Sequence, residues 1–145
     1  MNALPQAVHP NPERAAEMPY APAVEVINPE RIYYLAGATA VPLYHKHPHD
    51  PAETVLPDDI REQTRRVLAS LKLVLAERGL TWRNVVRVNK YVTDMREADA
   101  VHQVMNAEFG DWRPASTLLC VNNLSSPGAR IEIDMVAAVG RGEAS

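Results

Sequence analysis

The sequence predicts a single α+β domain in which two helices cover one face of a mixed β-sheet. Two stretches repeat apolar residues at helical spacing between clear start and stop signals, and short runs rich in β-branched or aromatic residues lie on either side of them. The resulting order is β-β-α-β-α-β-β, which favours one sheet with its helices on one side. A chain of 145 residues is long enough for one such domain.

The N-terminal third contains two predicted strands and two irregular segments. Residues 1–18 hold three prolines and no apolar period, so we expect an irregular arm there, followed by one domain over residues 19–140. Residues 22–27 and 31–39 predict a β-hairpin, because an Asn-Pro turn signal lies between them. Residues 40–58 carry four prolines and predict no regular element.

The two helices carry similar boundary signals. Asp59 and Glu62 form an Asp-x-x-Glu capping pair at the start of the first helix, and Gly79 is expected to end it. Residues 94–97 repeat the same pair before the second helix, which Gly110 closes.

Three further strands are predicted, at residues 84–94, 115–121 and 129–139. Their apolar positions exceed what two short helices bury, so we expect the second sheet face to be covered by oligomerisation. The positions concerned are Val86, Val88, Val92, Leu118 and Cys120.

Composition narrows the class of protein. The formal net charge is −3, so the chain lacks the excess of positive charge that is typical of nucleic-acid-binding proteins. No apolar run approaches the roughly 20 residues needed to span a bilayer. The N-terminal residues lack a signal-peptide pattern, and the single cysteine excludes an internal disulfide framework. We therefore expect a cytoplasmic protein with a reduced cysteine, and nucleic acid is not its expected partner.

Several motifs, in order along the chain, resemble those of the RidA/YjgF (reactive intermediate deaminase) family. They are MPYAPAV, YYLAGAT, REQTRRVLASLKLVLAERGLTWRNVVRVNKYVTDM, NAEFG, RPAST and ARIEIDMVAAV, and they run from Met18 to Val139. The resemblance implies a chorismate-mutase-like fold and a homotrimer whose sheets form a central barrel. It also implies clefts between subunits, where enamines or imines derived from amino acids are hydrolysed to keto acids and ammonia without metal or cofactor.

The resemblance assigns candidate catalytic and binding positions. Glu132 matches the glutamate that positions the attacking water, and His102 matches a cleft-lining asparagine. Because a histidine transfers protons near neutral pH and an asparagine does not, His102 is a second catalytic candidate. Tyr20 matches the tyrosine at the pocket edge, and Ala36 and Gly37 match the small residue and glycine beside the substrate, where active members usually have serine.

The substrate-clamping arginine of the family is replaced by Ser116. A guanidinium binds a carboxylate through two charge-assisted bonds, whereas a hydroxyl offers one weaker donor, so the substrate pocket must differ. Arg113, three residues earlier, is an alternative donor. Leu118 replaces the family's cysteine, and Cys120 lies two positions further on.

Two other features leave alternatives open. Lys90 is expected to form an ion pair between subunits at the barrel, with a Schiff-base lysine as the less favoured alternative. His45, His47 and His49 alternate, as ligands on a strand would, but two nearby prolines argue against a strand. We therefore expect a polar or substrate-covering loop and no metal site.

The leading hypothesis is an enamine/imine deaminase-type hydrolase with an altered pocket and no cofactor. The alternatives are a trimeric small-metabolite-binding protein without activity, and a cofactor-free enzyme of other chemistry that uses His102 or the histidine loop.

Overall fold

The structure, a computed structural model, describes residues 4–141. It contains six strands and two α-helices: β1 (Gln6–Val8), β2 (Ala23–Glu25), β3 (Pro29–Ala38), α1 (Ile60–Ala76), β4 (Val85–Val92), α2 (Ala98–Phe109), β5 (Ala115–Cys120) and β6 (Ile131–Gly140). The predicted α+β class is confirmed, with both helices packed on one mixed sheet.

The main sheet has the strand order β3-β6-β4-β5. Strand β6 is antiparallel to both β3 and β4, while β4 and β5 are parallel. Parallel neighbours need a crossover, and α2 provides it. This arrangement places α2 over β4 and β5, where the second of the cavities described below is found.

The predicted hairpin between residues 22–27 and 31–39 is wrong. Strand β2 pairs with β1, and β3 pairs with β6 along its length. Asn28, with a positive φ of 49°, does lie at a turn between β2 and β3. Strand β3 nevertheless pairs with β6, because both strands are ten residues long and β2 has only three. The segment expected to be an irregular arm contains β1 and a 3-10 helix, Pro12–Glu17.

The aspartates of both predicted capping pairs cap their helices, whereas Glu62 and Glu97 accept hydrogen bonds from Arg65 and Arg130 and complete no capping box. The Asp59 carboxylate accepts a hydrogen bond from the Arg61 backbone N–H at the start of α1, and Asp94 does the same for Arg96 before α2. Gly79, with a φ of 69°, lies in the turn that follows α1, where the Leu80 N–H reaches back to the Leu75 carbonyl.

One sheet face is buried beneath the helices, and the other, which we call the open face, is not. Val88, Val92 and Leu118 were expected on the uncovered side, but Val88 and Val92 lie in the core and Leu118 packs against it. Cys120 is exposed, and Val86 is half-buried beside a register shift between Val85 and Arg87. The parity of β4 and β5 is therefore the reverse of that expected, because side chains alternate strictly between faces.

The open face still carries exposed apolar side chains. Tyr34, Leu119 and Ile32 are 79%, 51% and 50% exposed. No helix among residues 4–141 has the length and apolar character needed to cross a membrane.

Candidate functional site

Glu132 lies against the backbone of Gly37. The β3–β6 register shifts between Leu35 and Ala38, and Gly37 sits in that irregularity. A Cβ atom at position 37 would lie 3.0 Å from Oε2 of Glu132 and 3.1 Å from its Cδ. The glycine therefore makes room for the carboxylate, which brings two of the predicted site residues together.

The surroundings of Glu132 favour its protonated form more than water does. Partial burial raises the pKa of the Glu132 carboxyl, and the negative charge of nearby Asp134 raises it further. A carboxylate whose pKa moves toward neutrality is a better general base or acid near pH 7. Asp134 itself accepts a hydrogen bond from the Asn89 amide at 2.8 Å, which is a structural role.

Glu132 and Gly37 line a cavity of about 570 Å³, the larger of the two cavities that concern the site. Ala36 lies on the same wall, and Val74, which is 40% exposed, lines the cavity from the α1 side. His45, His47 and His49 complete the lining. The proline-rich loop thus covers the cavity that contains Glu132, as one sequence-based alternative suggested.

The second cavity lies beneath α2 and contains Lys90, His102 and Ser116. It is small, about 30 Å³. The Lys90 Nζ is 2.9 Å from the His102 Nε2, so the ammonium donates to a neutral imidazole whose proton is on Nδ1.

The pKa values of both Lys90 and His102 are lowered in the structure. Burial lowers the pKa of Lys90 to about 8. Burial also lowers the pKa of His102, and the positive charge of Lys90 lowers it further. At neutral pH the pair therefore consists of a protonated lysine and a neutral histidine.

Lys90 is a site residue that the sequence reasoning assigned elsewhere. The expected ion pair at the barrel is wrong, because Lys90 pairs with Ile133 on β6 and shares its helix-facing side. In the sequence, Lys90 stands out as a lone lysine in an alternating apolar run. The sheet face that it occupies depends on which residues of that strand point toward the helices, and the spacing alone does not determine this.

Ser116 lies next to this pair with an unsatisfied hydroxyl. Its Oγ is buried and has no hydrogen-bond partner among residues 4–141. A buried hydroxyl left unpaired costs about 1–3 kcal/mol, so a polar ligand atom that bonds to it is stabilised. The cavity thus offers a cation, a hydroxyl and an imidazole at one point.

The remaining candidates are dispersed. Arg113 lines the edge of the second cavity and also a groove that contains Tyr20, and its guanidinium donates to the Gly110 and Trp112 carbonyls. Leu118 packs against the core and Cys120 is exposed, and neither residue lines the two cavities or the groove that contains Tyr20.

One chain does not bring Glu132 and Lys90 together. Glu132 pairs with Tyr91 in the β6–β4 ladder, one position from the Lys90–Ile133 pair. Because neighbouring residues of a strand point to opposite faces, the carboxylate and the ammonium lie on opposite sides of the sheet.

Comparison with known proteins identifies the family. The family model described as Endoribonuclease L-PSP, which represents the RidA/YjgF family, matches residues 12–139. The chain belongs to this family. The predicted resemblance is confirmed.

Members of the RidA/YjgF family include characterised deaminases. The chain is 31% identical over 121 residues to the 3-aminoacrylate deaminase RutC of Acinetobacter baylyi, covering 83% of this chain and 90% of that protein. It is 28% identical over 127 residues to the 2-iminobutanoate/2-iminopropanoate deaminase of Mus musculus, covering 87% and 85%. The solved structure of the Rid protein YyfB from Yersinia pestis, a protein of unknown function, is 26% identical with a TM-score of 0.73, covering 94% and 99%.

Proposed function

We propose that the protein is an enamine/imine deaminase-type hydrolase that releases ammonia from a small reactive enamine or imine. The observation that carries this proposal is Glu132, which lies in a large cavity, against Gly37, with a pKa raised by burial. A cytoplasmic location fits the single cysteine.

The chemistry needs one base and one route for a proton. An enamine first tautomerises to the imine, and water then adds to the C=N carbon while Glu132 accepts a proton from it. Glu132 passes that proton to the imine nitrogen, which gives the neutral carbinolamine. Glu132 then accepts the hydroxyl proton and delivers it to the amine nitrogen, so the C–N bond breaks, the carbonyl forms and ammonia leaves. Imine and water thus become a carbonyl compound and ammonia, with no change in oxidation state.

Lys90 and Ser116 are the proposed binding groups for the substrate carboxylate. Lys90 is protonated at neutral pH, and a charge-assisted bond from a buried ammonium is stronger than one from a hydroxyl alone. Ser116 supplies a hydroxyl without a partner in the described chain, and His102 accepts from the other side of Lys90. In this arrangement the cation that the family places at position 116 is instead contributed by the neighbouring strand.

We further propose that the active unit is a homotrimer. Glu132 and Lys90 lie on opposite faces of one sheet, so a complete site needs a carboxylate from one subunit and an ammonium from another. The exposed apolar residues of the open face separately support self-association.

The test is ammonia release from 2-iminopropanoate or 3-aminoacrylate generated in the assay. Glu132→Gln should reduce the rate at least 100-fold, the lower range for loss of a general base, while folding is unchanged. Glu77→Gln, an exposed carboxylate at the end of α1, is the matched control and should retain the wild-type rate. Equal rates in Glu132→Gln and the wild type would refute the assignment of the base.

A non-enzymatic binding protein is the main rival. It would bind a small carboxylate such as pyruvate in a Lys90-dependent way and yet release no ammonia above the uncatalysed rate. Measuring both properties on the same preparation separates the two functions.

A further inference from the structure

We propose that His45, His47 and His49 form a binding site for a divalent transition-metal ion of the zinc type. One ligand nitrogen from each ring lies within 4.8 Å of the others. The ring centroids are 4.6, 5.2 and 5.7 Å apart. Three imidazoles therefore converge on one point in a segment without regular secondary structure.

The distances are close to those of a metal-bound cluster. Ligands at about 2.05 Å from a tetrahedral zinc ion are roughly 3.3 Å apart, so the nitrogens must approach one another by at most roughly 1.5 Å. His47 is exposed and the other two rings are half-buried. Metal binding therefore requires the three rings to move closer together by no more than this distance.

A hydrogen bond already fixes one of the rings. The Nδ1 of His45 is 2.8 Å from the Pro42 carbonyl oxygen, and because a carbonyl only accepts, the proton is on Nδ1. In the neutral imidazole this tautomer leaves the lone pair on Nε2, which is the nitrogen available as a ligand. A carbonyl that holds the second ring nitrogen is the usual outer-shell support of a metal-binding histidine.

The local charge opposes the site only weakly. Lys46 lies within the histidine segment, but its side chain is 77% exposed, and its ammonium is 3.8 Å from the Asp50 carboxylate. Solvent and this carboxylate both reduce its repulsion of a bound cation.

The ligand set indicates the class of metal. Imidazole nitrogens suit zinc, copper and nickel, whereas magnesium and calcium prefer oxygen ligands. Three histidines leave one tetrahedral position for water or another small ligand. The cluster lines the cavity that also contains Glu132, so that position is within reach of molecules that enter the cavity.

This inference departs from the sequence-based expectation. The expectation rested on the need for a strand to align the histidines, and the prolines do exclude a strand there. The loop brings the rings together without one.

Zinc titration of the untagged full-length protein, after EDTA treatment and dialysis, tests the site. We expect saturable binding of about one Zn²⁺ per chain by calorimetry, and Co²⁺ should give the visible absorption of a tetrahedral complex. His45→Ala, His47→Ala and His49→Ala should each weaken zinc affinity more than tenfold, since even loss of an outer-shell partner costs 10–100-fold. His9→Ala, which removes a histidine outside the cluster, is the matched control and should bind as the wild type does.

Two results would overturn the site: no saturable zinc binding by the wild type, or unchanged binding by the variant that lacks all three histidines. Far-UV circular dichroism of each metal-free variant excludes unfolding as the cause of a loss. The inference does not depend on the proposed deaminase activity, because zinc binding is read out without a substrate.

Discussion

At the scale of single residues, Lys90 shows the energetic cost of burying a charge in the fold. The Lys90 side chain is only 8% exposed, and burial lowers its pKa from 10.5 to about 8. A shift of this size corresponds to about 3 kcal/mol of unfavourable free energy for the charged form in the folded state. Such a cost at a position that valine or methionine would fill is typical of a residue retained for function.

Lys90→Met should therefore stabilise the protein at pH 6–7, by on the order of 1–3 kcal/mol in urea denaturation. Below pH 8 the lysine is charged in both states, and the wild type carries the whole cost of burial. Between pH 8 and about 10.5 the folded state releases its proton first, so wild-type stability rises and the advantage of the variant shrinks.

The control is Lys72→Met, whose ammonium is exposed and pairs with Glu108, and its stability should stay within about 0.5 kcal/mol of the wild type. If Lys90→Met proves less stable than the wild type at pH 6.5, the ammonium contributes net stability and the functional account of its burial fails.

At the scale of secondary-structure elements, the β3–β6 irregularity positions the proposed base. The register shift puts Gly37 against the Glu132 carboxylate, so two strands that pair along most of their length open at one end to form part of the cavity. Irregularities of this kind often lie beside active sites because they redirect a side chain.

Gly37→Ala tests that arrangement. The added methyl group would lie 3.0 Å from Oε2 of Glu132, so the half-exposed carboxylate must rotate away while the core is untouched. A displacement of about 1 Å can cost 10²-fold in rate, so we expect kcat for ammonia release to fall at least about tenfold with little change in Tm.

The double variant Gly37→Ala/Glu132→Asp separates displacement from a general disturbance. The shorter aspartate relieves the contact, so the two changes together should cost less than the sum of their separate free-energy effects. Strict additivity would show that Gly37 acts independently of Glu132.

The elements also show what the sequence can and cannot predict. Helix ends depend on neighbouring residues in the chain. The sequence alone therefore predicts the capping by Asp59 and Asp94 and the turn at Gly79. The partner of β3 and the parity of β4 depend on residues distant in the chain, so the hairpin and the position of Lys90 were predicted wrongly. The loop histidines alternate in the sequence, but their convergence depends on an irregular loop whose conformation that spacing does not predict.

At the scale of the whole molecule, the open face leaves apolar side chains in contact with water, and assembly would cover them. A sheet can leave one face in water when that face is polar. Here the open face carries large exposed apolar side chains beside polar ones such as Arg87. The covered face is complete within one chain, because α1 and α2 bury its central positions. The proposed trimer therefore adds a second buried layer on the open face.

Light scattering coupled to size exclusion should accordingly give a mass near 48 kDa at micromolar concentration, three times the 16.1 kDa of the chain. Tyr34→Glu places a charge on the open face at a side chain that is 79% exposed in the single subunit, so it should yield a folded monomer with much lower deaminase activity. Tyr44→Glu, a tyrosine 91% exposed in the histidine loop, is the matched control and should remain trimeric. A wild-type mass near 16 kDa would refute the proposed trimer, and full ammonia release by a monomeric variant would refute a site that combines Glu132 of one subunit with Lys90 of another.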